Sequence, residues 1–178
     1  SILGNSIFNN KPGDFMPTDL GIDIGYVDFG LLRPYDLGPN PNDVGDLDSG
    51  ANDYLNYPVL NSTEVINSSK LSINFDLDVP VNPDGYRVEF FAIENADESN
   101  YGEGQHFLGY VNIDGKTNNS NTTLNIPSQL VDGSYAITST STELDSSADG
   151  FGSTSEFSQV LLDQSFQFSS DALTGNKD

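Results

Sequence analysis

The chain has 178 residues, with 27 acidic against 6 basic side chains, a formal charge of −21, one histidine, and neither cysteine nor tryptophan. A field of that sign repels nucleic acid and anionic membrane surfaces and gathers cations. Without cysteine there can be no disulfide framework and no Cys–His catalysis, a lone histidine excludes a His-rich zinc site, and no apolar run reaches the roughly 20 residues that span a bilayer. No signal peptide is recognisable, so the chain reads as a mature piece of a longer, extracellular protein.

In chain order, residues 1–56 read as an irregular N-terminal extension. Gly, Pro, Asn and Asp punctuate it at Lys11-Pro12-Gly13-Asp14, Arg33-Pro34-Tyr35-Asp36 and Gly38-Pro39-Asn40-Pro41. Its last part, Asn40 to Asp53, gathers Asn42, Asp43, Asp46, Asp48, Asn52 and Asp53 with no basic residue among them. Crowded carboxylates repel one another unless water or a cation separates them. Short oxygen ligands, with Gly45 and Gly50 freeing the backbone, suit a hard cation such as Ca²⁺; a solvated acidic loop is the bland alternative. The alternation of Asp46 and Asp48 between the glycines favours calcium. An EF-hand it is not: counted from Asp46, the sixth position is Ala51 and the twelfth is Tyr57.

Residues 57–162 carry recurrent β signals. The expected strands are Pro58 to Ile66, Leu71 to Val79, Tyr86 to Ile93, Phe107 to Ile113, Thr122 to Ile126, Tyr135 to Thr142 and Ser155 to Leu162. Leu71, Ile73, Phe75, Leu77 and Val79 alternate strictly with polar residues, which is a strand with one buried and one wet face. No segment sustains a helical apolar period. Seven short strands with turns between them predict an all-β, two-sheet sandwich of immunoglobulin-like type, and Asp132-Gly133-Ser134-Tyr135 stands where a tyrosine corner would. Residues 163–178 read as a tail or linker.

Several pieces together resemble a known group. Ile2 to Asn10 and Leu20 to Gly25 are similar to the last rung of a right-handed parallel β-helix in large secreted bacterial proteins. There the rung leads into an acidic loop like Asn42 to Gly50, then a strand like Asn56-Tyr-Pro-Val-Leu60, then an immunoglobulin-like sandwich. Tyr101 to Gly109 and Ser153 to Ser158 are also similar to motifs of the group. The resemblance implies a surface or secreted, adhesin-like module that is not an enzyme. Lys11 to Asp19, Val27 to Pro39 and Asp145 to Gly152 depart from it as insertions. A sandwich packed on such an extension would cap the open end of the rung. A cation held by Asp43, Asp46 and Asp48, joined by Glu103 or Glu156, would lock the junction. Gly102 and Gly104 would let Glu103 approach.

Catalysis finds little in the sequence. His106 has no nucleophile elbow near it and reads as a partly exposed strand residue, and no carboxylate pair stands out for glycoside hydrolysis. The expected function is therefore structural or adhesive, with neighbouring domains of the same large protein as partners. The alternative is a calcium-dependent carbohydrate-binding module, possibly an accessory to a polysaccharide-degrading enzyme. In that reading Tyr35, Tyr54 and Tyr101 would stack on sugar rings of a glycan or other cell-surface ligand; otherwise these rings fill the junction.

Overall fold

The computed structural model describes residues 2–8, 20–24, 39–94, 99–130, 134–147, 150–161 and 166–167. The chain is all-β among these. The described residues form eight strands: β1 Val59–Asn67, β2 Lys70–Leu77, β3 Tyr86–Ile93, β4 His106–Ile113, β5 Thr117–Asn125, β6 Ser134–Asp145, β7 Gly150–Thr154 and β8 Phe166–Gln167. They form two antiparallel sheets, ordered β1-β2-β5 and β4-β3-β6-β7, with β8 paired to the start of β6. Strand β3 is central, pairing with β4 on one side and β6 on the other, and its residues are buried on both faces.

Alternation decides which side chains face inward. Leu71, Ile73, Phe75 and Leu77 of β2 point into one core with Tyr86, Val88, Phe90 and Ala92 of β3 and Ile137 of β6. Phe75 and Phe90 meet edge to face across the sheets, 5.4 Å between centroids at 68°. This is the apolar interior of a sandwich, and each fully buried large side chain contributes about 1.5–3 kcal/mol. On the wet face of the three-stranded sheet, Asn74 accepts from Asn61 at 3.0 Å and donates to Asn121 at 3.1 Å, an amide row that tethers the polar edge strand β5.

A second, smaller core lies on the outer face of the four-stranded path. Phe91 of β3 packs against Phe157 there, 5.4 Å between ring centroids, with Ile22 buried beside them and Ile2, Ile7 and Ile24 half-buried against them. The described parts of the N-terminal extension thus cover a sheet face. Ile7 and Gly104 also exchange two backbone hydrogen bonds, at 2.8 and 2.7 Å.

The last expected strand differs. The regular strand is Gly150–Thr154, inside the glycine-rich stretch read as a long turn, whereas residues 155–161 run beside β6 without regular strand structure. Ser155, Ser158 and Leu161 still donate backbone hydrogen bonds to Ser141, Ser139 and Ile137. The reason for the irregularity is chemical. The Oγ atoms of Ser158 and Ser155 accept the backbone N–H of Ser139 and Ser141, bonds that a regular ladder would give to carbonyls. Strand β5 begins earlier than expected, at Thr117, where pairing with β2 holds a first half of Asn, Ser and Thr that offers no apolar alternation to read. Tyr135 lies at the start of β6, buried, with its ring edge-on to His106 at 5.9 Å. Asp132 and Gly133, the first departure (residues 11–19), the second but for Pro39, residues 148–149 of the third, and the tail apart from residues 166–167 lie outside the described residues.

Candidate functional site

The acidic loop is built on left-handed backbone. Gly45 has φ 76°, and Asp46, Asn52, Asp53 and Tyr54 have φ between 50° and 55°. Asn and Asp tolerate this region best; a Tyr there is strained, and such positions cost on the order of 1–3 kcal/mol each unless their surroundings fix them. Gly50 carries the ring of Tyr54 directly against its Cα, where a Cβ would collide with that ring. Tyr54 therefore packs on the loop itself.

Asn56 fixes the loop to the sandwich. It is 1% exposed, and its polar groups are engaged throughout. Its backbone N–H donates to Asp46 Oδ1 at 2.8 Å, while its Oδ1 accepts the N–H of Asp43 at 3.0 Å. Its Nδ2 donates to the carbonyls of Asp43 and Asp78, and its own carbonyl accepts from Ser141 Oγ of β6. One buried residue thus joins the loop and the segment after β2 through its carboxamide, and the other sheet through its backbone carbonyl. Next to it, Asn42 clamps the backbone of Tyr57, accepting its N–H at 3.0 Å and donating to its carbonyl at 2.8 Å.

Held this way, Asp43, Asp46 and Asp48 each bring an oxygen within 4.8 Å of the others, with Asp43 and Asp46 half-buried. Among the described residues no Lys or Arg pairs with them; the ion pair found is Lys116–Asp78 at 2.7 Å. Burial raises the Asp46 carboxyl from 3.8 to about 6; the Asn56 N–H opposes this, and Asp43, Asp48 and Glu143 add to it by repulsion. Burial and Asp43 also raise Asp48. Two carboxyls pushed up by confinement and mutual repulsion, with an all-oxygen donor set, fit a hard cation. A six- to eight-oxygen shell would need backbone carbonyls and water as well.

The other expected ligands stand elsewhere. Asn42 is the clamp on Tyr57. Asn52 donates to the Thr154 carbonyl at 3.0 Å, and Asp53 Oδ2 accepts from Ser153 Oγ at 2.8 Å, both tying the loop to β7. Glu156 is 2% exposed and lies under the extension. It accepts the backbone N–H of Ile24 at 2.8 Å and of Asn40 at 2.6 Å, so it joins the seam by hydrogen bonds to the chain. Burial raises its pKa, and these bonds oppose that rise. Glu103 falls outside the Asp group; the glycines beside it serve packing, Gly102 against Thr138 and Gly104 against the ring of Phe157. Tyr35 lies outside the described residues.

Sequence reasoning missed Asn56 and Glu89. Glu89 is 2% exposed on β3 and accepts the backbone N–H of Gly4 at 2.7 Å, while Ile2 N–H donates to Thr154 Oγ1 at 3.1 Å. Burial raises Glu89, with the Gly4 bond and the Arg87 charge opposing. Only the apolar pattern of β3, interrupted by a carboxylate that a half-wet strand would expose, hinted at the layer above it. Comparison with protein-family models returns no match, and comparison with the curated proteins returns none either.

Proposed function

We propose that the chain is a non-catalytic, extracellular structural and adhesive module of a larger secreted or surface protein, stabilised by Ca²⁺ at Asp43, Asp46 and Asp48. The observation that carries this reading is the convergence of three carboxylates without a basic partner among the described residues, on a loop that Asn56 bonds to both sheets. A cation there would neutralise the repulsion and hold the strained backbone. The extension, the loop and the sandwich would then act as one stiff spacer between neighbouring domains. The strand order β1-β2-β5 against β4-β3-β6-β7 supports the immunoglobulin-like character of the sandwich. Val44 and Leu47 stand out from the loop, 82 and 81% exposed, and offer apolar contacts to an adjoining domain. Extracellular modules bind calcium at about 10⁻⁴–10⁻³ M, a range that a shallow, partly exposed site can reach.

Calorimetric titration with CaCl₂ tests the reading. Saturable binding that Asp46→Asn and Asp48→Asn each weaken supports it. No binding at millimolar calcium, or binding indifferent to both substitutions, counts against it.

A further inference from the structure

A second feature lies beside the seam and goes beyond the calcium reading. A cleft of about 370 Å³ opens between the segment Tyr57 to Leu60, at the start of β1, and Gln159 to Leu161, with Tyr101 and Asn42 completing its wall. We propose that this cleft binds a short, uncharged saccharide, seating one or two of its sugar rings.

The lining decides the charge of the ligand. In a chain of formal charge −21, no described residue lining the cleft is charged. An anionic ligand meets the repulsive field of the whole molecule, and a cationic one finds no carboxylate to pair with in the lining. The cleft also falls within the range of small-ligand sites, about 300–1,000 Å³.

The polar groups decide the class. Tyr57 and Tyr101 meet edge to face, 5.6 Å between ring centroids at 81°, and their hydroxyl oxygens are 3.0 Å apart. That shared bond uses one O–H proton and leaves the other, with the remaining lone pairs, for a ligand. Gln159 is exposed, and its carboxamide makes no hydrogen bond among the described residues, so it can both donate and accept. Pro58, Val160 and Leu161 supply the apolar surface between these groups. Apolar walls with paired phenols and a free amide suit a sugar ring, which is apolar across its C–H faces and rimmed with hydroxyls. A purely apolar side chain would strip water from the phenols and the amide without replacing its hydrogen bonds.

The phenol pair is held in place. Asn42 fixes the Tyr57 backbone by two hydrogen bonds, and the Tyr101 backbone bridges to Gln159. Pre-set geometry of this kind lowers the entropy cost of binding. Gln159 was not among the residues the sequence pointed to. Tyr101 was, whereas Tyr54 is taken up by Gly50.

The test is saturation-transfer NMR followed by calorimetry on the folded chain, in calcium-containing buffer. The probes are maltotriose, cellotriose, xylotriose and mannotriose, with trigalacturonate as the anionic control. The expected result is saturable binding of at least one neutral probe and none of trigalacturonate. Tyr101→Ala should weaken binding roughly tenfold or more, and Gln159→Ala, an exposed position that leaves folding intact, several-fold. Tyr101→Phe should separate the hydroxyl from the ring, with an intermediate loss. Absence of binding to all four neutral probes, binding that neither Tyr101→Ala nor Gln159→Ala alters, or preference for trigalacturonate overturns the proposal.

Discussion

The two faces of β3 are held by opposite chemistry. Toward the three-stranded sheet, Tyr86, Val88, Phe90 and Ala92 join a continuous apolar core. Toward the N-terminal extension, the cover is mixed: Phe91 and Phe157 form an aromatic contact, buried Glu89 and Glu156 take the backbone N–H groups of Gly4, Ile24 and Asn40, and the hydroxyls of Ser155 and Ser158 take those of Ser141 and Ser139 of β6. Apolar packing tolerates small shifts and gains with area. Side-chain-to-backbone bonds fix register, and each leaves a buried orphan when one partner is lost. The first face therefore supplies most of the stability of the sandwich, and the second specifies how the extension and the acidic loop sit on it.

Substitutions can break the comparison, and the largest effect belongs to the apolar face. Phe90→Ala removes a fully buried ring and its partner contact with Phe75, and should cost about 3–5 kcal/mol in denaturant unfolding. A loss below about 1 kcal/mol would mean that the two sheets do not share this core.

Next comes Asn56→Ala on the polar seam. It orphans the Asp43 N–H and the carbonyls of Asp43 and Asp78, and should cost about 2–4 kcal/mol. The same variant should weaken calcium binding, because Asp43 loses both of its bonds to the carboxamide while Asp46 keeps only the backbone N–H of residue 56, whereas Phe90→Ala should leave calcium binding intact in the molecules that remain folded. Equal effects of the two variants on calcium affinity would erase the distinction between the faces.

Smaller still is the titration of Asp46. Its folded pKa, about 6, lies above its ordinary 3.8, so its contribution to stability is full below about 3.8 and is lost as pH rises through about 6. In chelator, wild type should lose stability relative to Asp46→Asn across that interval. Saturating calcium should abolish the difference in slope, since the cation takes the place of the proton. Parallel pH profiles in chelator would show that Asp46 is not confined as described.

Glu156→Gln should have the smallest global effect, about 1 kcal/mol, because the amide oxygen keeps one of the two main-chain partners. Hydrogen exchange should report it locally, with faster exchange at Ile24 or Asn40 and unchanged protection in β2 and β3. Faster exchange throughout would mean that the extension and the sandwich open together.

The apolar face was legible in the sequence because strand alternation is a strong signal. Leu71 to Leu77 and Tyr86 to Ile93 could be placed from periodicity, and the two-sheet architecture followed. The polar face was not. Ser155 and Ser158 look like ordinary strand residues, yet their hydroxyls interrupt the ladder, and Gly150–Thr154 hides a strand inside a turn-like composition. Asp43, Asp46 and Asp48 were readable as a group because they are close in sequence. Glu156 was singled out as a candidate ligand at the junction; its bonds to Ile24 and Asn40, partners more than a hundred residues away, have no sequence signal. Asn56 was legible only as the first residue of the Asn56 to Leu60 segment, since its bonds to Asp78 and Ser141 converge only once the sheets have formed.

A cation at Asp43, Asp46 and Asp48 would hold the seam. Thermal unfolding of wild type and Asp46→Asn at neutral pH, each in excess calcium and in chelator, tests it most directly. Calcium at about a hundred times its dissociation constant adds about 2.7 kcal/mol, or roughly 5–10 °C in a domain of this size. Wild type should rise by that order, and Asp46→Asn little or not at all. An unchanged wild-type midpoint, or the same rise in both proteins, would contradict it.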